Sequence, residues 1–522
     1  MSSITAATDD ASIKTWAGFI LMCLGMFMAI LDIQVVATSL PAIQDALKIS
    51  PDTMSWIQTA YLIAEIVAIP LTGLLTRALT LRWLFVAAIA LFTLASLGCA
   101  LSEDFAALVV CRVVQGFAGG ALIPAVFSGV FLLFPVRQHP LATTLGGVMA
   151  VLAPTVGPIV GGWITETYSW HWLFLINIAP GVIAAGATPF LLPHGTPRLS
   201  ELVTLDLPSL GLMAVALASL EVALKQAPHN GWFSPLCGML FALTLASAAV
   251  FGLRTLRARH PVVELATLKA RSFAIGCALS FCFGVGLFGA VYLMPVFLAF
   301  VRGHDAFEIG SIMLVTGAAQ LVAAPIAGAL ESRLDPRWLS AAGFALFAIG
   351  LGCSAYQSRV ADFHEMFWPQ VLRGVAIMFC LLPPTRLALG MLAEAQVPDA
   401  SGLFNLMRNL GGAIGIALID TILYGRTEGH ALALRDRLLA GDVTAAQAIG
   451  LKVELFLHRP EGVTDAQAEA YVRPLVEKAA LAMSANEAWA LLAAFAVIGL
   501  LLVQLAGKFV PGYAAEANAS GR

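Results

Sequence analysis

Three ionisable side chains stand inside otherwise apolar runs in the first quarter of the chain: Asp32, Glu65 and Arg112. Acids and bases in such surroundings are costly, and they mark proton relays, ion paths or ligand contacts. Asp32 lies among Ile30, Leu31, Ile33, Val35 and Val36, and Glu65 is near the middle of the next apolar run. Burial disfavours an ionised carboxylate and a neighbouring guanidinium favours it, so an Asp–Arg pair can bind or release a proton as its surroundings open. A permanent structural bridge is the competing reading. At ~1.5 Å per residue, Asp32 and Arg112 sit roughly 6 Å and 9 Å to the same side of their segments' centres, so the two can meet. Gln115, Gly116 and Gly119 follow Arg112 on one helical face by their i, i+3, i+4, i+7 spacing.

Other polar residues in apolar runs have less defined roles. Gln115, Gln320, Arg373, Asn405 and Arg408 either contact a transported compound or bind helix ends. Glu221 and Lys225 have the favourable i, i+4 order of a structural pair, and Asp420 is expected to be solvated. Residues 153–162 read A-P-T-V-G-P-I-V-G-G. There Gly157, Gly161 and Gly162 permit close helix approach, expected at a contact between halves of the molecule, and Pro154 and Pro158 can bend the helix. His364-Glu365 is followed by Trp368 where a metalloprotease pair needs His. No nucleophile–base or metal constellation and no Walker A sequence stand in the chain, so the expectation is not an enzyme and not an ATP-driven machine. The eight cysteines show no C-x-x-C spacing and read as buried packing residues.

The elements that must hold these residues are membrane helices. The chain has 522 residues, 59% hydrophobic and only 12% charged, where a soluble domain carries about 25% charged residues. Net charge is -3, which offers no basic surface to a nucleic acid. A span needs ~20 apolar residues. Candidates fall near 16–40, 53–75, 82–101, 105–131, 141–164, 171–193, 206–226, 233–253, 273–300, 309–330, 338–356, 364–391, 401–424 and 488–508. The polar start, with Asp9, Asp10 and Lys14, does not read as a signal peptide. Arg77, Arg82, Arg137, Arg198, Arg254, Arg257, Arg333 and Arg337 stand in alternate short loops, whereas the opposite loops hold Lys48, Lys225, Arg302 and Arg359. By the positive-inside rule both termini are expected in the cytoplasm. Residues 64–75 (A-E-I-V-A-I-P-L-T-G-L-L) and 319–330 (A-Q-L-V-A-A-P-I-A-G-A-L) repeat at an offset of 255, matching Pro70 with Pro325 and Gly73 with Gly328. Transporters are commonly built from such repeats.

The run R-x-x-Q-G at 112–116 and the run G-P-x-x-G-G at 157–162 resemble signature motifs of the major facilitator superfamily's drug:H⁺ antiporters, the second being similar to their antiporter motif. Further matches are L-D-I-Q-V-V-A-T-S-L-P (31–41), I-P-L-T-G (69–73), W-L-F-L-I-N (172–177) and A-S-G-L-F-N-L-M-R-N-L-G-G-A-I-G (400–415). Together they resemble the fourteen-helix EmrB/QacA-type subfamily, from the first helix to the thirteenth. There are departures: in G-L-L-T-R-A-L-T-L-R (73–82) the wider superfamily has an Asp and a Gly, and Arg77 stands at the acidic position. Trp170-His171-Trp172 replaces a W-R-W, and Asp32-Ile33-Gln34 replaces a D-x-T.

The resemblance implies an all-α major facilitator fold. The expected plan is a cytoplasmic tail (1–15), an N-terminal six-helix bundle (16–193) and a two-helix insert (194–272). Five helices of the C-terminal bundle (273–424), an extracytoplasmic loop (425–487), a last helix (488–508) and a cytoplasmic tail (509–522) follow. It implies proton-coupled multidrug efflux of small apolar or amphipathic compounds from the bacterial cytoplasmic (inner) membrane, with Asp32, Glu65 and Arg112 in coupling. No cofactor is expected; the proton gradient supplies the energy. Export of an endogenous metabolite or siderophore, and a non-transporting sensor or scaffold, are the alternatives. In double-membraned bacteria the resemblance implies a periplasmic adaptor protein and an outer-membrane channel as partners. The 425–487 segment either serves that contact or forms a lid. Its T-x-x-Q sequences at 444–447 and 464–467 predict two capped helices, with Pro474 kinking the second, and Leu432, Leu434, Leu438, Leu439, Leu455 and Phe456 available for packing.

Overall fold

In the computed structural model, which describes residues 11–49, 51–198, 200, 206–258, 261–331, 333–452 and 466–507, every expected span is helical. The helices are α1 (Ile13–Leu47), α2 (Pro51–Ala68), α3 (Thr72–Ala100), α4 (Phe105–Leu133) and α5 (His139–Thr167). Then come α6 (Trp172–Leu191), α7 (Leu207–Asn230), α8 (Pro235–Arg257), α9 (Arg271–Phe297) and α10 (Ala306–Glu331). The last are α11 (Pro336–Cys353), α12 (Phe363–Leu389), α13 (Val397–Leu439), the short α14 (Val443–Ala448) and α15 (Ala466–Val503). The short polar turns supply the caps: Ser12, Asp104, Asp206, Ser234 and Asp335 each accept a hydrogen bond from a first-turn N–H.

Thirteen helical stretches among the described residues are apolar and long enough to cross a bilayer. One of them, Thr53–Ala100, has 48 residues, or ~72 Å of helix at ~1.5 Å per residue. It breaks at Thr80 (φ 74°, ψ 156°), so it makes two crossings of a core ~30 Å thick. Fourteen spans result among the described residues, of which the first and last, Ala11 and Gly507, lie on one face. On it the Ala11 N–H donates to Gln138 Oε1 in the α4–α5 turn (3.3 Å), and Arg337 Nη1 donates to the Ala506 carbonyl (3.3 Å). We term this the terminal face and its opposite the loop face.

The halves of the molecule meet through paired glycines of the repeat. A Cβ on Gly73 would overlap Asp399 of α13, and one on Gly328 would overlap Thr144 of α5. Each repeat copy thus presses its glycine against the opposite half. At the terminal face the start of α13 also meets α4, where Ser401 Oγ donates to the Pro124 carbonyl (2.9 Å). Towards the loop face α7 fills the space between α2 and α13. Lys225 Nζ of α7 donates to Ser55 Oγ of α2 (2.9 Å), and Trp232 Nε1, beyond the end of α7, donates to Thr421 Oγ1 of α13 (2.9 Å). The insert therefore straddles the seam. Outside it, α8 turns Leu236, Met239, Leu243 and Leu253 outwards, as a lipid-facing helix must.

Three expectations need correction. Residues 425–439 continue α13 without interruption, so that part of the expected 425–487 loop is helix, and α15 begins at Ala466, well before 488. The cap near 444 is Asp442, whose carboxylate accepts from the N–H groups of Thr444 and Ala445; Thr464, Leu455, Phe456 and the 509–522 tail lie outside the described residues. Leu434 and Leu438 join Ile449, Val476 and Ala480 in a small core between the two extensions, whereas Leu432 and Leu439 are exposed. Third, Cys111 is half-buried and Cys353 exposed, unlike the other six cysteines.

Candidate functional site

Asp32 of α1 and Arg112 of α4 form an ion pair in which neither side chain has any solvent exposure. Helix α4 comes close enough because Gly116, Gly119 and Gly120 lack side chains. A Cβ on Gly116 would strike the Tyr61 carbonyl, and one on Gly119 would stand 2.5 Å from the Tyr61 hydroxyl. Those glycines seat α4 against α2, and α2 then completes the site. Arg112 Nε donates to the Ile57 carbonyl (3.2 Å), and the guanidinium lies over the Tyr61 ring (4.3 Å).

Two amides hold the carboxylate from other sides. Gln115 Nε2 and Asn177 Nδ2 each donate to Asp32 Oδ1 at 2.9 Å. Gln115 Nε2 also donates to Ser96 Oγ (2.8 Å), while Gln115 Oε1 accepts from Arg112 Nη1 (2.7 Å). Five helices, α1, α2, α3, α4 and α6, thus contribute to one polar centre. Within it, Arg112 Nη2 is buried with no acceptor, an unfilled position of a kind that costs ~1–3 kcal/mol. Asn177 ends the W-L-F-L-I-N run, but its uncharged side chain gave no signal of its own, and Ser96 had none.

Glu65 is buried on α2 and joins no hydrogen bond among the described residues. Arg112 and Asp32 are among its electrostatic neighbours, so the three residues share one region, and Glu221 is another. Glu221 and Lys225 are electrostatic neighbours, as expected, but not in direct contact among the described residues: the ammonium donates to Ser55 and Thr59 of α2. The insert places these two residues at the seam rather than apart from it. Asp420 is not simply solvated, since it accepts from the Tyr292 hydroxyl (2.6 Å).

The glycine–proline run lies on α5 with Pro154, Gly157, Pro158 and Gly161 buried and Gly162 half-buried. Gly157 faces α1, where an added Cβ would stand 2.3 Å from Gln34 Cβ. That contact is inside the N-terminal half, not between halves as expected, and it braces the helix bearing Asp32. Across the halves, α5 instead meets α10 through Thr144, Thr155 and Ile159, which face Gly328, Gly317 and Gly310.

The buried polar residues of the second half separate into two groups. Arg373 of α12 is enclosed by its own bundle, over the Trp489 ring (4.6 Å) and donating to Met294 Sδ (3.2 Å). Arg408 of α13 donates to Asn405 and lies over the Phe127 ring of α4 (5.3 Å), at the seam. Neither pairs with a carboxylate among the described residues. Gln320 is buried on α10 with its side-chain oxygen unpaired.

A sequence profile described as Major Facilitator Superfamily matches residues 22–416. The chain belongs to the major facilitator superfamily. Within that superfamily it is 38% identical over 416 residues to the colistin resistance protein EmrB of Acinetobacter baumannii, covering 80% of this chain and 81% of that one. It is 29% identical over 489 residues to the multidrug export protein EmrB of Escherichia coli K12, covering 93% and 94%. The human organic anion transporter MFSD10 shares the fold, with a TM-score of 0.61 at 12% identity over 94% of this chain and 99% of that chain. In α3, just ahead of the break at Thr80, Arg77 reaches across the seam to Asp399. The acidic partner comes from the other half.

Proposed function

We propose that this major facilitator exports small apolar or amphipathic compounds in exchange for protons, from the bacterial inner membrane, with its terminal face in the cytoplasm. The observation that supports it most directly is the wholly buried Asp32 carboxylate, tied to one guanidinium and two amides drawn from two other helices, α4 and α6. Protonating Asp32 removes its charge and leaves Arg112 without a counter-ion, so proton binding changes the packing energy of all the helices that meet there together. Breaking a buried pair of this kind costs ~3–5 kcal/mol, comparable with the ~2.3 kcal/mol that one charge gains per 100 mV of membrane potential. Relatives named for multidrug export and colistin resistance support efflux as the direction. The Lys and Arg residues of the terminal-face loops support its cytoplasmic placement. The α13–α15 extension beyond the loop face is suited to an adaptor protein leading to an outer-membrane channel.

The test is gradient-driven transport of a fluorescent substrate in proteoliposomes. Asp32→Asn should bind substrate yet fail to couple it to an imposed pH gradient. Wild-type rate and stoichiometry in that variant would make Asp32 structural and the coupling assignment wrong.

A further inference from the structure

His304 joins the starts of two helices on the loop face. Helix α9 gives way to one π turn over Leu298–Arg302, and Gly303, at φ 81°, reverses the chain there as glycine can without strain. The next residue is His304, whose ring reaches two carboxylates. Its Nδ1 stands 2.9 Å from Glu308 Oε2, in the first turn of α10. Its Nε2 stands 3.1 Å from both oxygens of Asp362, which caps α12. Both acids belong to reciprocal caps. Glu308 Oε2 accepts from the Asp305 N–H (3.2 Å), and Asp305 Oδ1 accepts from the Glu308 N–H (2.8 Å). Asp362 Oδ1 accepts from the Phe363 N–H (2.8 Å), and Glu365 Oε2 accepts from the Asp362 N–H (3.0 Å). The caps hold the two carboxylates in place, and one imidazole spans them.

A neutral imidazole has one N–H and one bare nitrogen; only the imidazolium donates from both. Carboxylates at both nitrogens therefore suit the charged ring, and a neutral ring keeps at most one of the two bonds. The other charged and titratable groups there do not replace it. Arg302 Nη2 donates to Asp362 Oδ2 (2.7 Å) and has no bond to Glu308 among the described residues. Asp305 and Glu365 serve the caps. His364 is exposed, with its ring against Phe363. The His304 side chain itself is 19% exposed, so the proton can come from the water on the loop face.

We infer that His304 is a pH-operated tie between α10 and α12, fastened when its ring is protonated from the loop face and released when the ring is neutral. The tied form holds one proton more than the released form, so raising the pH on that face shifts the balance towards release. Helix α10 carries the consequence to the seam. Two residues past Glu308, an added Cβ on Gly310 would stand 2.3 Å from Ile159 Cγ1, inside the glycine–proline run of α5. The first turns of α10 are thus held by the tie and, across the seam, by the opposite half. The tie acts whichever compound is carried, and it does not rest on the coupling assigned to Asp32.

The experiment is hydrogen–deuterium exchange of the purified full-length protein in detergent, at about pH 5.5 and about pH 8, a range over which histidine side chains change charge. Rates for residues 306–312 are corrected for the intrinsic pH dependence of amide exchange. Wild type should exchange there ~3-fold or more faster at the higher pH, the scale of one partly exposed ion pair. His304→Ala should be fast at both pH values. His304→Arg, which is permanently charged, should be slow at both. His364→Ala removes the neighbouring histidine and should keep the wild-type ratio. A flat wild-type response, or a wild-type ratio in His304→Ala, would overturn the inference. A pH response retained in His304→Arg would overturn it as well, because the titrating group would then be another.

Discussion

Arg77 and Asp399 form an ion pair across the seam between the halves, with the Asp399 side chain 2% exposed and that of Arg77 27% exposed. Asp399 stands in the first turn of α13, where a negative charge also meets the helix dipole favourably. The pair closes the terminal face at the place where Gly73 lets α3 and α13 touch.

Arg77→Asp should therefore loosen that face, since a buried carboxylate left without its partner loses ~1–3 kcal/mol. A cysteine at Ala400, which is fully buried, should then react faster with a thiol reagent applied from the terminal face. The exchanged pair, Arg77→Asp with Asp399→Arg, should slow that reaction again. Equal rates in all three proteins would mean the pair does not hold the face shut.

Thr80 carries a second consequence of the same turn. Its backbone (φ 74°, ψ 156°) is one that glycine adopts readily, and its hydroxyl is buried without a partner. Such a conformation costs ~1–3 kcal/mol in a residue with a side chain. Thr80→Gly should raise the thermal midpoint in detergent by ~1–2 °C. A lower midpoint would show that Thr80 is not strained.

Gly157→Leu should fold and reach the membrane while losing most export. The new side chain must displace Gln34, two residues from Asp32, and overpacking of this sort costs ~1–3 kcal/mol. Gly157→Ala should fall between the two. Size-exclusion profiles and the proteoliposome assay measure both properties, and full export by the leucine variant would remove α5 from the bracing of α1.

Orientation is measurable with single cysteines. Ala433 is exposed on the loop-face extension and Ala258 follows α8 at the terminal face. Ala433→Cys should react with an impermeant reagent in intact cells, and Ala258→Cys only after permeabilisation. The reverse pattern would place the termini outside.

The spans were legible because ~20 apolar residues are both necessary and sufficient to mark a crossing. The Asp32–Arg112 encounter was legible because depth follows from counting residues along a helix. What counting does not give is the lateral neighbour. Glu221 and Lys225 looked like partners along one helix, and only the docking of α7 sends Lys225 to Ser55. Arg373 and Arg408 read alike in sequence, yet one faces Trp489 in its own bundle and the other faces Phe127 across the seam. Residues 425–439 were read as loop because their polarity records exit from lipid, whereas α13 itself continues to Leu439.

Helix α13 has 43 residues, a rod of ~64 Å, of which ~30 Å lies within hydrocarbon. Its outer length is clamped to α15 by Arg426 and His430 on Glu487, by Thr427 on Ser484, and by the Leu434 cluster. The same rod bears Asp399 at one end of the molecule and the tip beyond the membrane at the other. Rocking the C-terminal half by ~10° about the middle of the membrane would carry the tip, ~49 Å away, sideways by ~8–9 Å. Any motion that opens the terminal face would then also reposition the loop-face tip, as one lever whose fulcrum is the membrane.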